Sequence, residues 1–116
     1  MAGRRSSAVR CWAFCDVETS AIVGGVELQR IGEAEVNLSY FVFAPWRGRG
    51  IATRAAELVL EYAVTEMAAS RAVIKVLEGN VASLAVVRHL NAELVGTAPS
   101  DAGGTFLVFH RQSQRI

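Results

Sequence analysis

"FVFAPWRGRGIATRAAELVLEYA", residues 41–63, joins an apolar run to a longer, helix-patterned one through Arg47-Gly48-Arg49-Gly50. Just upstream, Val36, Leu38, Tyr40 and Val42 alternate with Glu35, Asn37 and Ser39, which is the period of a strand. The polar face of that strand turns apolar at Phe41 and Phe43. Downstream, Ile51, Ala55, Leu58, Val59, Tyr62, Ala63 and Met67 recur at a helical period and are expected to face a core. The two glycines therefore fall at a strand-to-helix junction. Free backbone N–H groups and the positive end of the helix dipole make such a junction an anion site. Glycine there either serves a tight turn or lets a ligand reach the amides, and Arg47 and Arg49 add positive charge. The Walker pattern and the three-glycine dinucleotide fingerprint are both missing. The residues alone thus leave a phosphate or pyrophosphate cradle set against a merely tight turn.

Outward from this junction the pattern is regular. Residues 8–14, 21–31 and 36–43 read as three strands joined by short turns, and the Gly24-Gly25 pair in the second suggests a bulge or close packing. Residues 51–69 read as a helix, 72–77 as a buried strand, and 81–90 as a second helix with Leu84, Val87 and Leu90 inward. Asn91 suits a left-handed stop. Residues 92–96 and 105–109 close the chain as two strands around a Pro-Ser-Asp-Ala-Gly-Gly loop. The order is β-β-β-α-β-α-β-β. It defines a mixed α/β domain with a mostly antiparallel sheet and one parallel crossover, from 36–43 to 72–77. The expected division is a loose terminus at 1–7, one domain over 8–112 and a tail at 113–116.

The bulk numbers restrict what this domain can be. A chain of 116 residues with 52% hydrophobic and 20% charged residues is long enough for one core and is not a disordered composition. A net charge of +1 gives no global field for nucleic acid or acidic membranes. Arg4, Arg5, Arg47 and Arg49 form no aromatic-interleaved basic stripe either, so no nucleic-acid partner is expected. No apolar run approaches the roughly 20 residues of a membrane span, and residues 1–7 precede no clean signal-peptide core, so a cytoplasmic location is expected. On one strand, Cys11 and Cys15 would lie about 13 Å apart, too far for a mutual disulfide. With His89 and His110 remote in sequence, no metal site is expected, and the two thiols read as buried core residues.

At this point the chain resembles the Gcn5-related N-acetyltransferases (GNAT). Arg47-Gly48-Arg49-Gly50-Ile51-Ala52 fits that family's Arg/Gln-x-x-Gly-x-Gly/Ala signature, set between a strand ending Phe43-Ala44-Pro45 and a long helix. Asn80-Val81-Ala82-Ser83, after a strand and opening a helix, resembles the Asn-x-x-Ser of the branch containing the ribosomal-protein N-terminal acetyltransferases. The segment 89–96 stands in the place of that branch's Lys-x-Gly-Phe. The resemblance implies acetyl-CoA as cofactor and a small-molecule or peptide amine as acceptor. It places backbone groups of Phe41, Val42 and Phe43 along the pantetheine arm and thioester. The amides of Arg47, Gly48, Arg49, Gly50, Ile51 and Ala52 would hold the pyrophosphate, and Asn80 would contact the cofactor or fix the strands beside it. Ser83 is the implied general acid for the departing thiolate, although Asn80 and Ser83 also fit a plain helix cap.

The departures from the family pattern carry expectations of their own. Val87 stands where many members have an acidic Tyr, and Lys75 where a basic Glu is often found. Glu35 is the candidate base, with Glu33 and Glu78 behind it. Glu35 shares a polar stripe with Asn37 and Ser39 that lines a groove or faces solvent. The family's usual first strand and two helices have no counterpart, so a homodimer or a partner chain is expected to cover the exposed edge and face. A non-catalytic acyl-CoA-binding module is the alternative to an enzyme.

Overall fold

Alternation along the strand before the glycine loop sets the core, with Val36 and Leu38 under the helices and Asn37 and Ser39 on the other side of the sheet. In the structure, a computed structural model that describes residues 9–112, six strands and two helices follow the expected order. They are β1 (Val9–Cys15), β2 (Ile22–Arg30), β3 (Glu35–Val42), α1 (Ile51–Met67), β4 (Arg71–Leu77), α2 (Val81–His89), β5 (Glu93–Pro99) and β6 (Thr105–Gln112). A single 3-10 turn, Ala44–Trp46, lies between β3 and α1. The expected loose terminus and tail lie outside the described residues.

The strands form one sheet in the order β1-β2-β3-β4-β6-β5. Every neighbouring pair is antiparallel except β3–β4, which is the expected parallel crossover spanned by α1. Both helices lie on one face. Ala56, Val59, Leu60, Ala63 and Met67 of α1 and Val86 and Val87 of α2 close over Val26, Leu28, Val36, Leu38, Ala72, Ile74 and Val76. The helical stripe is therefore rotated from the one expected. Leu60 is buried and Leu58 is 63% exposed, because Ala56, Val59, Leu60, Ala63 and Met67 stack on one side of α1 and Leu58 points away from it. Among the described residues no helix covers the opposite face.

Cys11 and Cys15 are free, as spacing required, but they are exposed and not core thiols. β1 is an edge strand, and the same period that turns Trp12 and Phe14 toward the helices turns both cysteines to the uncovered face. The glycine pair of β2 marks close approach: a Cβ on Gly24 would collide with the carbonyl oxygen of Phe41, and one on Gly25 would lie 2.9 Å from the Phe41 ring. The first helix ends at Ala68, in the left-handed conformation with φ 54°. Arg30 donates to the Met67 and Glu33 carbonyls, both at 2.8 Å, and so ties the β2–β3 turn to the negative end of α1. Asn91 adopts the expected left-handed φ, 58°.

Candidate active site

The β3–β4 ladder pairs Glu35 to Leu38 with Arg71 to Ile74 and then stops, although both strands continue. Beyond Ile74, β4 stays paired with β6 through Leu77, so the far half of β3 is left with an open edge. The direction of its backbone groups follows from one bond, the Phe43 N–H donating to the Val23 carbonyl at 2.8 Å. By the two-residue alternation of an antiparallel pair, Phe41 also turns its N–H and C=O toward β2, while Tyr40 and Val42 turn theirs into the opening. Among Phe41, Val42 and Phe43, only Val42 has main-chain groups facing the gap, and Tyr40 joins it. Arg47 Nε occupies the Val42 carbonyl at 2.9 Å, which leaves the Val42 N–H and both groups of Tyr40 on the open edge.

One end of this opening is the glycine loop. Gly48 and Gly50 have φ of 78° and 75°, a region that other residues enter only with strain. A Cβ on either would meet no protein atom within 4 Å, so backbone direction and not crowding calls for glycine. Gly50 precedes α1 with no side-chain cap, and Arg54 is the first residue whose N–H finds a helical acceptor, the Gly50 carbonyl at 3.1 Å. The N–H groups of Gly48, Arg49, Gly50, Ile51, Ala52 and Thr53 reach no acceptor among the described residues. Arg49 lies over the Trp46 ring, 4.9 Å from its centroid, and donates to the Pro45 carbonyl at 3.3 Å. Arg47 is thus held on the end of β3 and Arg49 on the turn.

The facing wall is the start of α2. Asn80 is its cap: Oδ1 accepts the Ser83 N–H at 3.1 Å, and the Asn80 N–H donates to the Leu77 carbonyl at 3.0 Å. The Tyr40 hydroxyl crosses from β3 and donates to the Ser83 carbonyl at 3.1 Å. Burial disfavours the phenolate and pushes the Tyr40 pKa up to about 12, against a smaller opposing effect of the Ser83 side-chain hydroxyl beside it. The Ser83 hydroxyl lines the cleft beside the Tyr40 phenol. Together β3, the loop and α2 enclose a cleft of about 470 Å³, lined among others by Tyr40, Val42, Gly50, Ala52, Asn80 and Ser83. That volume is in the range of ligand sites, about 300–1,000 Å³. A second hollow of about 460 Å³ lies toward the other end of α1, beside Leu60, Val64, Arg71 and Arg111, away from the glycines and their free amides. The cradle belongs to the first.

The candidate base does not join this site. Glu35 opens β3, about 23 Å along the strand from Val42 at 3.3 Å per residue, and pairs with Arg71 at 2.8 Å. Glu33, in the β2–β3 turn, shares that remote end. Glu78 follows β4 with its N–H on the Thr105 carbonyl and does not line the cleft. Val87 is buried in the core. The ionisable side chains lining the cleft are Tyr40, Arg47 and His89, and His89 holds Nδ1 2.9 Å from the Ala85 carbonyl. Neither Tyr40 nor His89 is among the site residues the sequence leads one to expect. A phenol among otherwise apolar inward positions, Val36, Leu38 and Val42, is the available signal for Tyr40. Among the described residues no three His, Cys, Asp or Glu side chains gather as a metal site, and no helix is long and apolar enough to cross a membrane.

The sequence model described as "Acetyltransferase (GNAT) domain" matches residues 1–93, most of the chain, and the protein belongs to that family. Among solved structures, it superposes on a ribosomal-protein-S5-alanine acetyltransferase from Vibrio fischeri with a TM-score of 0.80 at 17% identity, covering 90% of this chain and 61% of that one. RimL, an alpha-N-protein acetyltransferase of a ribosomal protein in complex with coenzyme A, gives 0.78 at 19% identity, with 90% and 62% covered. A spermidine N-acetyltransferase from Vibrio cholerae gives 0.78 at 16% identity, with 90% and 66% covered. At these identities the likeness is one of fold. The chain spans less than two thirds of the length of each of these three proteins. No curated protein matches it by sequence.

Proposed function

We propose that the chain is an acetyl-CoA-dependent N-acetyltransferase acting on a primary amine by direct transfer. The observation that carries this reading is the end of the parallel ladder at Leu38 and Ile74, which opens β3 onto the cleft that Gly48 and Gly50, with their free amides, also line. The cleft fits the cofactor's chemistry at both ends. Unpaired N–H groups at a helix start suit a pyrophosphate, and the open edge at Tyr40 and Val42 suits the amides of a pantetheine arm. When bound, acetyl-CoA would supply an acetyl thioester open to attack by an amine. In this reading the Val42 N–H donates to the thioester oxygen as charge develops on it, and the Ser83 hydroxyl protonates the leaving sulfur. Location in the cytoplasm and a homodimer or partner chain over the uncovered sheet face belong to the same reading.

A non-catalytic acyl-CoA-binding module is the second reading, and one observation favours it: no carboxylate lines the cleft. Calorimetric titration with acetyl-CoA and with CoA comes first, and no binding of either overturns both readings. Release of free thiol over a panel of amines then separates them. Turnover supports the transferase, whereas tight binding with a silent panel supports the module.

A further inference from the structure

Ser83 is held from two sides by different elements. Its N–H is taken by the Asn80 side chain at 3.1 Å, and its carbonyl by the Tyr40 hydroxyl at 3.1 Å, while its own hydroxyl lines the cleft beside that phenol. Asn80 precedes α2, and Tyr40 lies on β3, just past the point where the β3–β4 ladder has stopped. A serine hydroxyl rotates among three staggered positions, but its Cβ goes where its peptide goes. With both ends of the residue anchored, the hydroxyl swings about a fixed point. The hydrogen bond from β3 to α2 also spans the mouth where the strands diverge.

We infer that Tyr40 and Asn80 are positioning residues, which clamp the Ser83 peptide so that its hydroxyl meets the sulfur leaving the thioester. This rests on the transferase reading above and adds to it the residues that make Ser83 an acid. In the step concerned, the amine nitrogen bonds to the thioester carbonyl carbon and the C–S bond breaks with its electron pair on sulfur. Sulfur takes the proton of Ser83 Oγ, and Oγ regains one, through water, from the amine nitrogen. Atoms and charge balance without a further reactant. Tyr40 gives up no proton here: its hydroxyl is committed to the Ser83 carbonyl, and burial keeps it protonated through neutral pH.

The test is a double-mutant cycle with a second readout on the free protein. Ser83→Ala should lower kcat by about 100-fold, the lower end of general-acid effects. Tyr40→Phe, which keeps the ring and loses one hydrogen bond, should lower kcat by about 5–10-fold with the KM for acetyl-CoA within about twofold. The double variant should be no slower than Ser83→Ala alone, because Tyr40 acts through Ser83. Asn80→Ala should act like Tyr40→Phe, and Asn80→Ser, which keeps a capping acceptor, should restore most of the rate. In the free protein, Tyr40→Phe and Asn80→Ala should each speed amide hydrogen exchange at Ser83 by about tenfold, with the β1–β2 pair unchanged. Multiplying rate effects in the double variant would overturn the clamp, as would unchanged exchange. Acetyl-CoA binding with no turnover on any amine would overturn the acid role. No binding at all sinks the transferase reading, and the exchange experiment still decides the clamp.

Discussion

Glu35 Oε2 and Arg71 Nη1 meet at 2.8 Å across the first rung of the β3–β4 ladder, at the end of the sheet away from the cleft. Their side chains remain 32% and 41% exposed, so solvent screens the pair and its contribution to stability is small, about 0–1 kcal/mol. Glu35→Gln should therefore leave amine acetylation within about twofold and shift thermal stability only slightly. A loss of several orders of magnitude in kcat with acetyl-CoA binding intact would return Glu35 to the role of base.

The glycine loop makes the opposite prediction. Gly50 has φ 75° and precedes the helix whose first amides are free, so Gly50→Val puts a β-branched side chain into a left-handed conformation. The strain costs about 1–2 kcal/mol. The new side chain also projects into the open space beside the amides, since a Cβ there meets no protein atom within 4 Å. Calorimetry should show CoA affinity reduced at least tenfold while circular dichroism retains the folded signal. Unchanged affinity would refute the cradle.

How far the site was legible follows from what each signal encodes. The change of period at Ile51 marks a helix start directly, so the loop and its free amides are visible from residues 41–63 alone. Side-chain alternation places Phe41 and Tyr40 on opposite faces, but says nothing about which neighbour each backbone group bonds. That depends on β2 lying to one side, and it is why the gap-facing residues are Tyr40 and Val42. The polar stripe of Glu35, Asn37 and Ser39 is equally blind to position. It does not reveal that the ladder closes at the Glu35 end and opens at the other. In α1, Leu58 and Leu60 are both apolar, and only packing against the sheet selects Leu60.

Gly24 is a packing prediction independent of any ligand. Its Cα passes so near β3 that a methyl group would strike the Phe41 carbonyl oxygen and come within 3.1 Å of the Phe14 ring. Backbone cannot swing aside as a side chain can. Gly24→Ala should cost about 1–3 kcal/mol in denaturant unfolding, the range of overpacked cores. A neutral result would mean that β2 and β3 stand further apart here.

Exposure of Cys11 and Cys15 gives a chemical check on the uncovered face. Both are free thiols on the edge strand β1, and Cys11 Sγ lies 3.8 Å from Glu27 Oε2. An aromatic disulfide reagent should titrate two thiols per chain without denaturant. Protection of both until unfolding would show that this face is covered in solution, by a second copy or another chain.

Tyr40 supplies a pH dependence whose sign is fixed by burial. Its folded pKa, about 12, lies above the ordinary 10.0, because the phenolate would lose its hydration in the cleft wall. The folded state therefore holds the phenol proton more tightly than the unfolded chain does. The stabilisation is complete below pH 10 and is lost as pH rises from about 10 toward about 12. Melting temperatures of the protein and of Tyr40→Phe, followed from pH 8 upward, should differ by a constant amount until about pH 10. They should then converge, since the variant has no proton to lose there. Parallel curves through pH 12 would show that the Tyr40 hydroxyl is solvated, and with it that the contact to the Ser83 carbonyl does not persist in solution.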